Sequence, residues 1–309
     1  MAETPGVVSM CTGTVHQPTS ESLHYLVLRA PAKLNLCLHV VGQRADGYHE
    51  LLSLMCCVAL HDRLELRIGV SQNQIRCDHP GVPADETNLA LQAVSLFNQT
   101  LDSDANRCPQ NVSIRLAKHI PVGGGLGGGS SDAAAVISGL NRFHGCPFDR
   151  ERLLSIAVRL GADVPFFIDQ RPAVASGIGE RLAPYHGLQP FGAVLVYPNF
   201  GISTAEVFKN LRFGLTKSKK KLRYLPFKNG KFSANHHLHN DLEAGVIRRF
   251  PVIAEIKKKL QDQGAIGSMM TGSGSTVFGL FRDEVAAQKA ARDLDRPDAW
   301  QVYATRLLT

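Results

Sequence analysis

Several things are missing from this 309-residue chain. Nowhere do about 18 apolar residues follow one another, so no segment reads as a membrane span. The opening stretch, MAETPGVVSMCTGTVHQPTSES, has no basic segment leading into an apolar one. A secretory leader is therefore not expected, and residues 1–22 read as a loose tail. The seven cysteines (Cys11, Cys37, Cys56, Cys57, Cys77, Cys108 and Cys146) are odd in number and contain no C-x-x-C pair. They are expected to be reduced, mostly buried thiols of a cytoplasmic protein, not a zinc site or a disulfide framework. There is no internal repeat.

A broad excess of charge is missing too. The net charge is +7, but Lys217, Lys219, Lys220, Lys221, Arg223, Lys228 and Lys231 lie in one acid-free run, KSKKKLRYLPFKNGK, at 217–231. Those seven account for the whole excess; the remaining chain balances 27 bases against 27 acids. One local run reads as a solvated loop able to attract a polyanion, and does not make the protein a nucleic-acid binder.

What the chain does have is an α+β pattern long enough for two domains. In LVLRAPAKLNLCLHVV the period is two, which predicts a strand with Leu34, Leu36, Leu38 and Val40 on one face. Asp46-Gly47 marks a tight turn, and LLSLMCCVAL and RLELRIGV continue as strands. DETNLALQAVSLFNQ reads as a helix capped by Asp85 or Thr87, and NVSIRLAKHI as a strand with Val112, Ile114 and Leu116 on one face. Two helices follow, SSDAAAVISGLNRFHG with Ser130 or Ser131 as cap and DRERLLSIAVRLG ending at Gly161. FGAVLVYPN begins a second domain, set at 191–309 against 23–190 for the first. Beyond the basic run come a helix broken near Pro251, a strand–glycine turn–strand, a helix and a last strand.

The densest signal is PVGGGLGGGSSDAAA, with six glycines in the seven positions 123–129. It is no Walker A loop, since that pattern needs a lysine that is absent here. Gly123, Gly125 and Gly128 match G-x-G-x-x-G, but a dinucleotide fold needs a strand ending in an acid about 20 residues on, where this chain is in a helix. A strand leading in, bare amides and a helix leading out make an anion site instead.

That loop resembles the nucleotide loop of the galactokinase, homoserine kinase, mevalonate kinase and phosphomevalonate kinase (GHMP) superfamily. PAKLNLCLHVVGQRADGYHEL (Pro31–Leu51), LGADVPFF (Leu160–Phe167), HNDLE (His239–Glu243) and MTGSGSTVF (Met270–Phe278) are similar to one branch of it, the 4-(cytidine 5′-diphospho)-2-C-methyl-D-erythritol kinases. The motifs come in order over about residues 29 to 300. The resemblance implies a first domain like domain 2 of ribosomal protein S5, a ferredoxin-like second domain, and an active site in the cleft between them. It implies transfer of the ATP γ-phosphate to the substrate's 2-hydroxyl, in the non-mevalonate route to isoprenoid precursors. The cofactors are then ATP and Mg²⁺, the setting cytoplasmic, with no nucleic-acid or membrane partner, and the assembly a monomer or weak homodimer.

Residue by residue, the resemblance makes Pro121, Val122, Gly123, Gly124, Gly125, Leu126, Gly127, Gly128, Gly129, Ser130 and Ser131 the triphosphate cradle. Which serine meets Mg²⁺ is left open. Lys33 and Asp163 become the catalytic pair: a carboxylate that orients the hydroxyl and accepts its proton late, and a cation beside it. Tyr48 would stack on cytosine, His49 bond to its edge and Phe208 close the other face, with Asn35 and Ile178 as further substrate contacts. Read alone, Asp163 is a turn residue before Pro165, Lys33 a strand lysine and Phe208 a core residue. Two rivals remain: a related kinase of mevalonate or homoserine, offering no base to stack on, and a nucleic-acid-binding protein using the basic run.

Overall fold

A computed structural model describes residues 23–105, 107–211, 225 and 230–309. The tail at 1–22, Cys11 and nearly all of the basic run at 217–231 lie outside the described residues.

Two long strands, β1 (His24–Gln43) and β2 (His49–Ile68), pair antiparallel and carry the first half. β3 (Gln74–Cys77), α1 (Leu89–Ala105), β4 (Val112–Ala117), α2 (Gly128–Phe143), α3 (Arg150–Val158), α4 (Phe166–Asp169), β5 (Ala173–Gly177) and β6 (Arg181–Pro184) complete it. β2 pairs with β4 on one side and, near its start, with β5.

The second half holds β7 (Gly192–Tyr197), α5 (Thr204–Lys209), α6 (Ala234–His237), β8 (His239–Asn240), α7 (Glu243–Arg249), α8 (Val252–Asp262), β9 (Gly267–Met270), β10 (Val277–Phe281), α9 (Glu284–Asp293) and β11 (Gln301–Leu308). Four of these strands form an antiparallel sheet in the order β11-β7-β10-β9. With β7, β9, β10 and β11 taken in chain order that is 4-1-3-2, the ferredoxin-like arrangement. The end of β11 reaches β2, at Leu307↔Val58 and Leu308↔Cys57, and joins the two sheets.

The molecule is layered helices, sheet, sheet, helices. Met55 and Cys57 of β2 face the core beneath α1 and α2, whereas Leu54, Cys56 and Val58 face the core between the sheets. Likewise Ala193 and Leu195 of β7 face the inter-sheet core, and Val194 and Val196 the helices α7 to α9. Burial on both faces is why LLSLMCCVAL and AVLVY read as continuous apolar runs rather than alternating ones.

Three expectations need correction. Leu34, Leu36, Leu38 and Val40 do not share one face, because the β1–β2 register shifts between Asn35 and Cys37. Leu34 and Leu36 enter the inter-sheet core, but Leu38 joins the third core. Asn88, not Asp85 or Thr87, caps α1 by accepting the Ala90 N–H at 2.9 Å. Cys37, Cys56 and Cys57 are buried thiols as expected, but Cys77 is half-buried, Cys108 is exposed and Cys146 is disulfide-bonded.

Candidate active site

The glycine loop runs from the end of β4 into α2. Neither Ser130 nor Ser131 caps the helix: they are its third and fourth residues, and the cap is Gly127, left-handed at φ 72°. A Cβ there would sit 2.9 Å from the Phe167 ring and 3.1 Å from Lys33 Cγ, so backbone conformation and close packing both demand glycine. Gly125, at φ 78°, is tighter still: a Cβ would lie 2.5 Å from the Thr271 carbonyl. The second glycine segment, Thr271–Thr276, thus folds onto the first. Thr276 N–H donates to the Gly124 carbonyl at 3.2 Å, and the Tyr197 hydroxyl to the Val122 carbonyl at 3.0 Å.

Pro121 through Ser130 wall a cavity of about 600 Å³. Lys33, Asn35, Asp163, Ile178, Phe208, Gly272 and Ser273 line it as well, drawn from both halves of the chain. Lys33 is buried; its backbone N–H donates to the Leu126 carbonyl at 2.9 Å, tying β1 to the loop. Its Nζ donates to Asn35 Oδ1 at 2.6 Å and stands 3.7 Å from Asp163 Oδ2. The Asp163 side chain is 41% exposed. One cavity therefore joins a glycine-rich backbone loop, an ammonium and an accessible carboxylate.

Residues 88–171 match the GHMP kinases N terminal domain, and residues 228–298 the GHMP kinases C terminal domain. The 4-diphosphocytidyl-2-C-methyl-D-erythritol kinase of Syntrophotalea carbinolica is 46% identical over 278 residues, spanning 89% of this chain and 96% of that protein. The enzyme of the same name from Geobacter sp. strain M21 is 43% identical, over 92% and 99%. This chain belongs to the GHMP kinases.

A crystal structure of a 4-(cytidine 5′-diphospho)-2C-methyl-D-erythritol kinase superposes on this kinase with a TM-score of 0.73 at 36% identity, covering 91% of this chain and 99% of that one. The homoserine kinase of Cytophaga hutchinsonii has the same fold, with a TM-score of 0.71 at 18% identity. No helix among the described residues of the kinase is long and apolar enough to cross a membrane.

Not every expected site residue lines the cavity of the kinase. Ser131 lies beneath the loop, buried in α2. His49 stacks on Phe208 with ring centroids 4.9 Å apart, and burial lowers its pKa. Tyr48 stands outside the cavity wall, 61% exposed. Asp46 Oδ1 accepts the Tyr48 N–H at 3.1 Å, closing a turn that leaves the ring in solvent.

Sequence reasoning missed a buried ion cluster at the cavity floor. Lys118 Nζ bonds Asp62 and, at 2.9 Å, Asp132 Oδ2; Asp62 Oδ1 also accepts N–H groups of His119 and Ile120 at 2.6 and 2.8 Å. Burial pushes Asp132 up to about 7, with the neighbouring Asp62 charge adding to the rise and Lys118 opposing it. Lys118 is itself lowered by burial but raised on balance by Asp132 and Asp62. Missed too were Gly81, Val82, Pro83, Thr87, Asn88 and Leu89, which wall the end beside the loop, and Ser53 behind Asn35. Of these only Thr87 stood out in the sequence, and there as a helix cap rather than as part of a site.

Proposed function

We propose that this kinase transfers the γ-phosphate of ATP to the 2-hydroxyl of 4-diphosphocytidyl-2-C-methyl-D-erythritol. The observation that carries the reading is Lys33 Nζ 3.7 Å from Asp163 Oδ2 in the cavity walled by the glycine loop. Asp163 orients the hydroxyl and accepts its proton as the phosphoryl group leaves ATP; Lys33 stabilises the charge that develops on the attacking oxygen. The amides of Gly123 to Gly129 and the start of α2 hold the triphosphate, with missing side chains allowing close approach.

A divalent metal fits the loop. Ser131 Oγ and Asp132 Oδ1 are buried without a hydrogen-bond partner among the described residues, so oxygen donors stand ready beneath it. Ser130 or Ser131 would hold Mg²⁺, which would supply positive charge against the triphosphate there. His49 and Phe208 supply the stacked aromatic wall for cytosine, and Tyr48, at the turn beside them, is the further ring for the base in this reading. The same reading places the division between the two domains at 190/191, supported by the start of β7 at Gly192.

ADP release tests the function, measured with Mg·ATP against the cytidylated methylerythritol, mevalonate, homoserine and galactose in parallel. Turnover with the first alone is expected. Turnover with another substrate would keep the Lys33–Asp163 pair and discard the cytidine pocket.

A further inference from the structure

Away from the cavity, the short strand β8 runs parallel to β1, with Cys37 opposite His239 and Leu38 opposite Asn240. This pairing brings His39 and His239 together although 200 positions separate them. Their rings stack with centroids 4.3 Å apart and planes 19° apart. Asp241 spans both: Oδ1 lies 2.7 Å from His239 Nε2, and Oδ2 3.9 Å from His39 Nδ1. The carboxylate is held in place, since Oδ2 accepts the Val40 N–H at 2.8 Å and the Asp241 N–H donates to the Leu38 carbonyl at 3.0 Å.

One ligand atom from each residue lies within 4.8 Å of the other two. Around a tetrahedral ion with bonds of about 2.0–2.1 Å, ligand atoms stand about 3.4 Å apart. The spacings to the two carboxylate oxygens, 2.7 and 3.9 Å, fall on either side of that value, and the stacked rings would turn about their side-chain bonds to bring one ion into both imidazole planes. The His239 side chain is half exposed, which leaves a side open for water as the fourth ligand.

We propose that His39, His239 and Asp241 form a binding site for a borderline divalent transition metal, with Zn²⁺ the best fit. Two imidazole nitrogens and one carboxylate oxygen suit Zn²⁺, whereas Mg²⁺ prefers an all-oxygen shell, so the site is chemically distinct from the loop beneath ATP. Its position gives it a consequence. Asn240, between two of the ligands, donates both amide hydrogens, to the Met270 and Gly272 carbonyls at 2.8 Å each. Gly272 in turn packs against the catalytic lysine: a Cβ there would lie 3.5 Å from Lys33 Nζ. A metal clamping β8 to β1 therefore braces the turn behind Lys33.

The test is calorimetric titration of the full chain with ZnCl₂, without ATP or Mg²⁺, on wild type, His39→Gln and His239→Gln. Mg·ATP turnover in each variant serves as the control for folding, and the exposed His239 position makes that variant the safer one. A one-to-one site is expected, weakened at least about tenfold in both variants, with Co²⁺ spectra free of thiolate charge-transfer bands. Equal Zn²⁺ affinity in wild type and a folded variant would overturn the proposal. So would no binding at all, or a thiolate band assigning the metal to Cys77 or Cys108.

Discussion

Asn35 Nδ2 donates to Ser53 Oγ at 2.9 Å, and this bond orients the amide that touches Lys33. The Ser53 hydroxyl proton is already given to the Cys37 carbonyl at 2.7 Å, so Ser53 has only a lone pair to offer Asn35. The NH₂ end must then face Ser53, and the oxygen end faces Lys33 Nζ at 2.6 Å. All three side chains are buried, and Ser53 lies behind the cavity wall. Ser53→Ala is expected to lower kcat about tenfold, the ~1.4 kcal/mol of one unmet buried bond, with the KM for ATP nearly unchanged. Ser53→Thr should restore the rate; a Thr variant as slow as Ala would mean the site responds to packing, not to the hydroxyl.

Asp163 meets the cavity but holds none of the loop. Asp163→Ala should cut kcat by about 10²–10⁴, the range for one proton-accepting side chain, while equilibrium ATP binding stays within about twofold. Normal turnover would remove Asp163 from the mechanism.

At Gly125 an added Cβ faces both a left-handed backbone and the Thr271 carbonyl. Gly125→Ala is expected to cost at least about 1–2 kcal/mol of stability and to raise the KM for ATP. Urea denaturation with steady-state kinetics checks both.

The Asp132 carboxyl titrates near 7 in the fold against an ordinary value of 3.8. Between about pH 4 and 7 the folded state thus holds a proton that the unfolded chain has lost, so this group's contribution to stability falls as pH rises through that window. Asp132→Asn cannot ionise and leaves Lys118 paired with Asp62. Relative to wild type it should gain more than about 1 kcal/mol on going from pH 5 to pH 8, read by urea unfolding without nucleotide. An equal difference at both pH values would contradict the shift.

Phe208 is the ring that both lines the cavity and stacks on His49. Phe208→Ala should raise the KM for the cytidylated substrate about tenfold or more, since stacking on a base is worth about 1–3 kcal/mol, and leave the ATP KM alone. An effect confined to ATP would reverse the assignment of the two ends.

Much of this was legible in the chain before any fold. The loop at 121–131 declares itself because anion binding by backbone needs consecutive glycines, and a local demand leaves a local mark. Strands buried on both faces declare themselves as apolar runs such as LLSLMCCVAL. The expected cap at Ser130 or Ser131 failed for a tertiary reason: Phe167 and Lys33 crowd Gly127, and the helix starts there instead. Tyr48 lies off the cavity wall for a local reason, the Asp46 turn that holds it in solvent.

By itself, then, the sequence determined the kinds of element, their order and the bare glycine loop, because each rests on residues adjacent in the chain. Only the tertiary structure decided which side chains meet. Lys33 reaches Asp163 because β1 is tied to the loop at Leu126. Lys118 finds Asp62 and Asp132 across the β2–β4 ladder and the start of α2. His39 meets His239 through the β1–β8 pairing. Such encounters depend on strand register and layer packing, and a one-residue shift like that between Asn35 and Cys37 changes which face every following side chain takes.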